Sequence, residues 1–147
     1  QVITYNNGNH LLLFEENGLY GRIAKPDGYS VIKENFLIGK IKGLHDAKAI
    51  PVDSGDILVV SSSFDPEKKT GAFVGRFIES WGKVKEFVIE KDIKCARENV
   101  QLSVLKDQNI LITWMQWGEN ADKDTRLIYG QQTPCHCCNS CIWHGCE

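Results

Sequence analysis

The sequence predicts an all-β fold of three repeated four-stranded antiparallel units, followed by a cysteine-rich tail. Three observations predict it: a glycine-centred strand motif recurs at nearly constant spacing, a polar turn between apolar segments precedes each motif, and helical periodicity is confined to a weak stretch at 91–98. We therefore expect a β domain over residues 1–132 and a tail over residues 133–147. The three copies span approximately residues 1–47, 48–99 and 100–132.

The first half of each unit is a short strand, a polar turn and an apolar run. In that order, the segments are residues 2–5, 6–9 and 11–14 in the first copy, 49–52, 53–56 and 57–60 in the second, and 101–105, 106–109 and 110–113 in the third. Asn, Asp and Gly in the turns tolerate the positive φ that a tight hairpin needs. The apolar runs are continuous, which is typical of strands that are buried on both faces.

The second half of each unit contains the glycine-centred strand. This strand reads LYGRI at residues 19–23, FVGRF at 73–77 and IYGQQ at 128–132, and successive central glycines are 54 and 55 residues apart. In the first two copies a second glycine follows seven residues later and predicts a turn. A last strand is then expected at 29–32 and at 83–89, whereas in the third copy the tail begins where that strand should lie.

Four strands at a period of about 50 residues are typical of a β-propeller blade. An apolar run that ends in Trp114, a variable acidic loop and the sequence IYGQ at 128–131 resemble the propeller-type repeats of large bacterial and protist surface proteins. The resemblance extends over residues 1–132. It implies a secreted or surface-exposed protein made of blade-like units.

Three blades leave a structural problem, because closed propellers have about 4–8 blades. An open stack would expose strand edges and apolar faces, which promote aggregation unless they are covered. Three solutions remain open: the chain is part of a longer protein, two chains close one ring, or subunits stack end to end with a strand of one completing the sheet of the next. We expect a homo-oligomer or a filament.

Five of the six cysteines lie in the tail, and Cys95 stands apart from them. A secreted protein oxidises such a cluster, whereas a cytosolic one must keep it reduced or bound to metal, so we predict an extracellular protein with disulfides. The candidates for disulfide bonding are Cys95, Cys135, Cys137, Cys138, Cys141 and Cys146. Because the number of tail cysteines is odd, full pairing requires a bond to Cys95 or to another chain. Zinc is the alternative, with Cys138, Cys141, His136 and His144 as its ligands.

Three further residues are candidates for ligand binding. Arg22 and Arg76 follow equivalent glycines and would suit an anionic ligand, although covering apolar surface with the side-chain stem is the more ordinary use of arginine. Trp117 is expected to be exposed and would let a sugar ring stack on it, whereas Trp114 ends a buried run and should pack in the core. The glycines before the arginines are expected to permit close strand packing.

Composition and motifs argue against several classes of function. The formal net charge of −2 gives no basic footprint for nucleic acid. No apolar run approaches the ~20 residues of a membrane-spanning helix, and no recognised catalytic or cofactor-binding motif is present. We therefore predict a protein that is not an enzyme, uses no cofactor, and neither binds nucleic acid nor inserts into a membrane.

The function expected from these properties is that of a secreted structural or adhesive protein. It would self-assemble through its β-repeats and be stabilised by disulfides of the tail. One alternative is a carbohydrate-binding, lectin-like propeller module that contacts glycans. A second alternative is a zinc-binding tail on a β-repeat scaffold.

Overall fold

The computed structural model describes residues 1–106, 109–117 and 126–133. These residues form strands and turns, and no helix occurs among them. The strands are β1 Val2–Thr4, β2 His10–Glu15, β3 Leu19–Ala24, β4 Phe36–Gly39, β5 Leu44–Pro51, β6 Ile57–Asp65, β7 Thr70–Ile78, β8 Val84–Ile93, β9 Arg97–Val104, β10 Ile110–Trp117 and β11 Arg126–Thr133. The predicted all-β class is confirmed.

The strands form three antiparallel sheets, and each sheet is a meander in which consecutive strands are neighbours. The first sheet contains β1 to β4, the second contains β5 to β8, and the third contains β9 to β11. Strands that follow one another through short turns pair without crossovers, which is the simplest way to satisfy their backbone hydrogen bonds. The first two sheets have four strands, and the third has three within the part of the chain that the structure describes.

The turns after β1 and β5 have the same hydrogen bonds. The Tyr5 amide donates to the Asn9 carbonyl (2.8 Å) and the Gly8 amide to the Tyr5 carbonyl (2.9 Å). In the second sheet the Val52 amide donates to the Asp56 carbonyl (3.0 Å), and Gly55 repeats the second bond. Gly8 and Gly55 have φ of 84° and 88°, a conformation that glycine adopts without steric cost. The glycine turns after β3 and β7, at residues 25–29 and 79–83, form the same pair of bonds.

The fourth strand of the first sheet is not where the sequence predicts it. Residues 29–32 form no strand: Ser30 makes an isolated bridge to Ala24, and Tyr29 is exposed. The fourth strand is β4, Phe36–Gly39, and it brings Phe36 opposite Gly21. The prediction was wrong because the Tyr29–Ile32 pattern looked like a strand, whereas pairing selects the segment that can fill the space beside Gly21.

The other predicted last strand is confirmed, and the weak helical pattern is not. Residues 83–89 fall almost entirely in β8, Val84–Ile93. The stretch 91–98 contains the end of β8 and the start of β9, Arg97–Val104. Tertiary pairing therefore overrides the local helical pattern of this stretch.

The sheets stack face to face, with the second sheet between the other two. The first core lies between the first and second sheets and consists of Ile3, Tyr5, Leu11, Leu13, Leu19, Ile23, Ile38, Ala49, Ile57, Val59 and Ile78. The second core lies between the second and third sheets and consists of Val52, Leu58, Val60, Phe73, Ile89, Ile93, Val100, Ile110, Ile112 and Trp114. Full burial of such side chains contributes about 1.5–3 kcal/mol each. The apolar run of β6 supplies both cores with alternate residues, as expected for a strand that is buried on both faces.

Hydrogen bonds join Gln1, just before β1, to β5, and join β5 to β9. The Gln1 side chain donates to the Ala49 carbonyl (3.1 Å) and accepts from the Ala49 amide (3.2 Å). The Asp46 carboxylate accepts from the Val100 amide at 2.7 Å. Thus the start of the first sheet contacts β5, and β5 contacts β9. The first strands of the three sheets lie side by side along one edge of the stack.

Candidate functional site

Arg76 lies between the first and second sheets. Its side chain is buried, Nε donates to a Glu86 carboxylate oxygen at 2.9 Å, and Nη1 donates to Ser61 Oγ at 2.7 Å. The guanidinium lies flat against the first sheet, since a methyl group built on Gly39 would come within 2.8 Å of it. Because Nε and Nη1 donate within the protein and the charge is paired with Glu86, Arg76 joins two sheets and is not displayed to a ligand.

Arg22 takes the corresponding position in the first sheet but is exposed. It follows Gly21 as Arg76 follows Gly75, and it forms no hydrogen bond or ion pair with any residue that the structure describes. Asn35 precedes Phe36 where Glu86 precedes Phe87, so the acidic partner is missing. The structure therefore does not bring Arg22 and Arg76 together on one exposed surface.

The outer face of the first sheet is the side turned away from the second sheet. Strand registers place nine residues on it: Val2, Thr4, His10, Leu12, Phe14, Tyr20, Arg22, Ala24 and Leu37. Val2 and Leu37 are 66% and 43% exposed, and the rings of Phe14 and Tyr20 stack with centroids 6.1 Å apart. Apolar residues from all four strands thus lie on this face, with Arg22 near its centre and the hydrogen-bonded pair Thr4 and His10 at one end.

The outer face corresponds, position by position, to a face that is covered inside the molecule. The first two sheets align on the central glycines of β3 and β7. Leu12 then corresponds to Val59, Phe14 to Ser61 and Arg22 to Arg76. Val59, Ser61 and Arg76 are buried under the first sheet. At these three positions the outer face therefore corresponds to a surface that receives another sheet, whereas His10 takes the place of the buried Ile57.

The third sheet has a second face, on the side turned away from the second sheet, that no sheet of the described residues covers. Leu111, Thr113 and Met115 lie on it and are half-buried, and Gln101 and Ser103 of β9 are exposed beside them. In the first and second sheets, the corresponding face covers the sheet that follows. The outer face of the first sheet therefore corresponds to a face that another sheet covers inside the molecule. The outer face of the third sheet corresponds to a face that packs onto the next sheet.

Trp114 packs in the second core, as predicted. Its ring meets Phe73 edge-on with centroids 5.3 Å apart, and the Arg97 guanidinium lies 4.3 Å from the Trp114 ring centroid and 5.0 Å from that of Phe73. Arg97 also forms an ion pair with Glu90. Sequence reasoning missed Arg97, because it lies in the stretch with the weak helical pattern and outside every repeated motif.

The cysteine and histidine predictions fall mostly outside the described residues. Cys95 is half-buried between β8 and β9 and packs against the second core. Trp117 is the last residue of β10, and its side chain lies outside what the structure describes. The tail residues Cys135, His136, Cys137, Cys138, Cys141, His144 and Cys146 also lie outside it. The disulfide, zinc and Trp117 hypotheses therefore stay predictions, and no cluster that could hold a metal ion occurs among the described residues.

An open depression of about 560 Å³ lies at the β2–β3 hairpin and the connection to β5. Its walls include Glu15, Lys40 and Lys42, and Lys42 pairs with Asp65 at 3.2 Å. The hydrogen bond from Lys42, aided by backbone amides, holds the pKa of Asp65 below its usual range. The amine of Lys42 is thus already paired with a carboxylate at the rim of this open depression.

Comparisons with known proteins give no relative. No family model matches the chain, and neither a curated protein nor a solved structure matches it. In the part of the chain that the structure describes, no helix is long and apolar enough to span a membrane. Function must therefore be argued from the surfaces of the three sheets.

Proposed function

We propose that the chain is a secreted structural or adhesive subunit that self-assembles through the two end faces of its sheet stack. The observation that carries the proposal is the outer face of the first sheet, whose residues correspond to those buried between the first and second sheets. A face that is equivalent to one covered inside the molecule can pack against the end of another stack. A second copy of this chain supplies that end in the form of its third sheet.

The proposal includes a propeller-like arrangement of the sheets. Meandering sheets in chain order, first strands side by side and face-to-face stacking are properties of propeller blades and support it. Three blades are fewer than the approximately 4–8 of a closed ring. Two chains would then complete one ring, or chains would continue the stack into a filament, depending on the rotation between copies.

Energetics favour covering the outer face. Each fully buried valine or leucine contributes about 1.5–3 kcal/mol, and the exposed areas of Val2 and Leu37 can contribute part of this only in an assembly. Arg22 would pass into the contact region, where an acidic group or backbone carbonyls of the incoming copy would take the place that Glu86 takes for Arg76. The tail disulfides would stabilise the assembly further within or between chains.

Lysine substitutions on the outer face test the proposal by light scattering of the full chain. The variant Val2→Lys/Leu37→Lys should fall to the monomer mass, because two charges would be trapped in an apolar contact. Val88→Lys is the matched control, since Val88 is 41% exposed on β8 of the middle sheet and away from both end faces. A double variant that keeps the wild-type assembly mass would contradict the proposal.

Reducing agent tests the contribution of the tail. Reduction of the disulfides should lower the melting temperature or the assembly mass. The free energy of unfolding should fall by about 2–4 kcal/mol per bond. A protein indifferent to reductant would contradict the disulfide part of the proposal while leaving the sheet-stacking part intact.

A lectin-like function is the second candidate, and one observation favours it. Tyr29 and Trp81 lie in the equivalent turns after β3 and β7 and are 74% and 67% exposed. Exposed aromatic rings in repeated turns offer stacking surfaces for sugar rings. Glycan binding that disappears in both Tyr29→Ala and Trp81→Ala would favour this function over a purely structural one.

A further inference from the structure

The side-chain amide of Gln1 joins the first sheet to the first strand of the second. Its nitrogen donates to the Ala49 carbonyl at 3.1 Å, and its oxygen accepts from the Ala49 amide at 3.2 Å. A carboxamide can form both bonds because it has a donor and an acceptor side by side. These match the outward N–H and C=O groups of one residue on an edge strand. The contact therefore sets the register between the first strands of two stacked sheets.

The junction between the second and third sheets contains a bond of the same kind. The Asp46 carboxylate of β5 accepts from the Val100 amide of β9 at 2.7 Å. Lys48 has the position in β5 that corresponds to Gln1, and its amine has no acceptor to offer an amide. It lies 3.9 Å from the Asp46 carboxylate instead. In both junctions, then, a side chain of one sheet bonds to the backbone of the first strand of the sheet that it covers.

Gln101 has the position in the third sheet that Gln1 has in the first. It is opposite Thr113, which is opposite the central glycine of β11. Gln1 exchanges backbone hydrogen bonds with Leu13, which is opposite the central glycine of β3. Gln101 is exposed on the outer face of the third sheet, which corresponds to the face from which Gln1 reaches the second sheet. The same side chain thus recurs at the same place, one sheet stack further along.

Val2 has the position in the first sheet that Ala49 has in the second. Val2 is opposite Leu12, and Ala49 is opposite Val59. Hydrogen-bonded and non-hydrogen-bonded pairs alternate along an antiparallel ladder. Because the neighbouring Gln1 bonds to β2, the N–H and C=O of Val2 point away from β2, toward the edge of the sheet. Val2 is also 66% exposed, so its backbone presents the same pair of groups that Ala49 presents to Gln1.

We propose that Gln101 of one copy donates to the Val2 carbonyl and accepts from the Val2 amide of a second copy, as Gln1 does with Ala49 within the chain. This inference rests on the proposed function, because it needs the third sheet of one copy to pack on the first sheet of another. It adds the polar contact that sets the register between the two copies. One copy contributes Gln101 and the other Val2, so the contact is heterologous and leads to a ring or a filament.

Sedimentation equilibrium of the full chain measures what Gln101 contributes to assembly. Gln101→Ala should weaken the association of copies on the order of tenfold, because two hydrogen bonds are lost and the backbone groups of Val2 are left without them in the contact. Ser103→Ala is the matched control. Ser103 is exposed on the same face of β9 and corresponds to Ile3, whose side chain forms no hydrogen bond. Its substitution should change the association constant by less than about threefold.

Substitutions of Val2 separate the role of its backbone from that of its side chain. Val2→Pro removes the amide hydrogen, whereas Val2→Ala keeps it, and an edge strand tolerates proline where the N–H points outward. Gln101→Ala should therefore weaken association much less in the Val2→Pro background than in the Val2→Ala background.

The outcomes distinguish this inference from the proposed function. Equal effects of Gln101→Ala in the two Val2 backgrounds would overturn the inference, as would a Gln101→Ala variant that associates as tightly as the wild type. In either case the proposed function stands if Val2→Lys/Leu37→Lys still falls to the monomer mass. A wild-type chain that is monomeric at every concentration would overturn both.

Discussion

Two faces at equivalent positions of neighbouring sheets differ in whether another sheet covers them. On the second sheet, Val59 and Arg76 are buried under the first sheet, and the arginine is paired with Glu86. On the first sheet, Leu12 and Arg22 hold the same positions and face outward. The faces also differ in composition, since the exposed one has Phe14 where the covered one has Ser61, and His10 where the covered one has Ile57. The comparison teaches that the pattern of a face indicates what it can receive, while the presence of a neighbouring sheet decides its burial.

Single substitutions of Arg76 and Arg22 should differ most in their effect on the free energy of unfolding. Arg76→Ala should lower the free energy of unfolding by about 2–3 kcal/mol, because Ser61 loses its buried partner and the packing against Gly39 is lost. Glu86 is half-exposed and can be hydrated, which limits the loss. Arg22→Ala should change the stability of the monomer by less than about 0.5 kcal/mol. Urea denaturation measures both, and equal effects would contradict the assigned difference in burial.

Alkaline pH should destabilise the folded protein through Tyr5, which lies in the first core. Burial, with a contribution from the Asp56 carboxylate, raises the pKa of the Tyr5 hydroxyl well above its usual value. The neutral form is therefore favoured in the folded protein, and its contribution to stability is complete below about pH 10 and is lost as pH rises further. At neutral pH, Tyr5→Phe should cost about 0.5–1.5 kcal/mol, since the hydroxyl donates to the Glu79 carbonyl at 3.3 Å.

The stability difference between wild type and Tyr5→Phe should then shrink and reverse above about pH 10. Tyr29→Phe is the control, because Tyr29 is exposed and lies outside both cores. Thermal melts from pH 7 to 11 measure the effect. A Tyr5→Phe curve parallel to wild type over that range would contradict the assigned burial of the hydroxyl.

Alanine substitutions of two adjacent serines should change the free energy of unfolding least. They distinguish the two faces of the second sheet. Ser61 accepts a hydrogen bond from Arg76 on the face covered by the first sheet. Ser62 points to the other face, is fully buried, and its Oγ has no hydrogen-bond partner among the described residues. Ser61→Ala should cost about 1 kcal/mol, while Ser62→Ala should be neutral or stabilise by up to about 1 kcal/mol. A loss of stability in Ser62→Ala similar to that in Ser61→Ala would show that Ser62 has a partner in solution.

The sequence predicted what depends on local patterns. The all-β class, the turns around Gly8 and Gly55, and the burial of β6 on both faces follow from turn chemistry and apolar periodicity, which act over a few residues. The position of β4 did not follow, because it depends on Phe36 reaching Gly21 across 15 residues. The spacing of an aromatic after each glycine was the missed signal, and it recurs at Phe87.

The candidate site could be predicted only in part. The sequence indicated open apolar faces from the number of units, but it could not say which residues lie on them. Burial of Arg76 and exposure of Arg22 depend on the presence of a preceding sheet, and no property of the two LYGRI and FVGRF motifs encodes it. The sequence likewise did not predict a role for Arg97, since its contact with Phe73 joins it to a different sheet and its contact with Trp114 depends on strand pairing.

The central claim is that the outer face of the first sheet is a contact surface between copies. Sedimentation equilibrium of the full wild-type chain over a range of concentrations tests it most directly. We expect a mass of twice the 16.6 kDa chain for a closed ring, or a series of larger multiples for a filament. A mass of 16.6 kDa at every concentration, with the outer face therefore open to water, would contradict it.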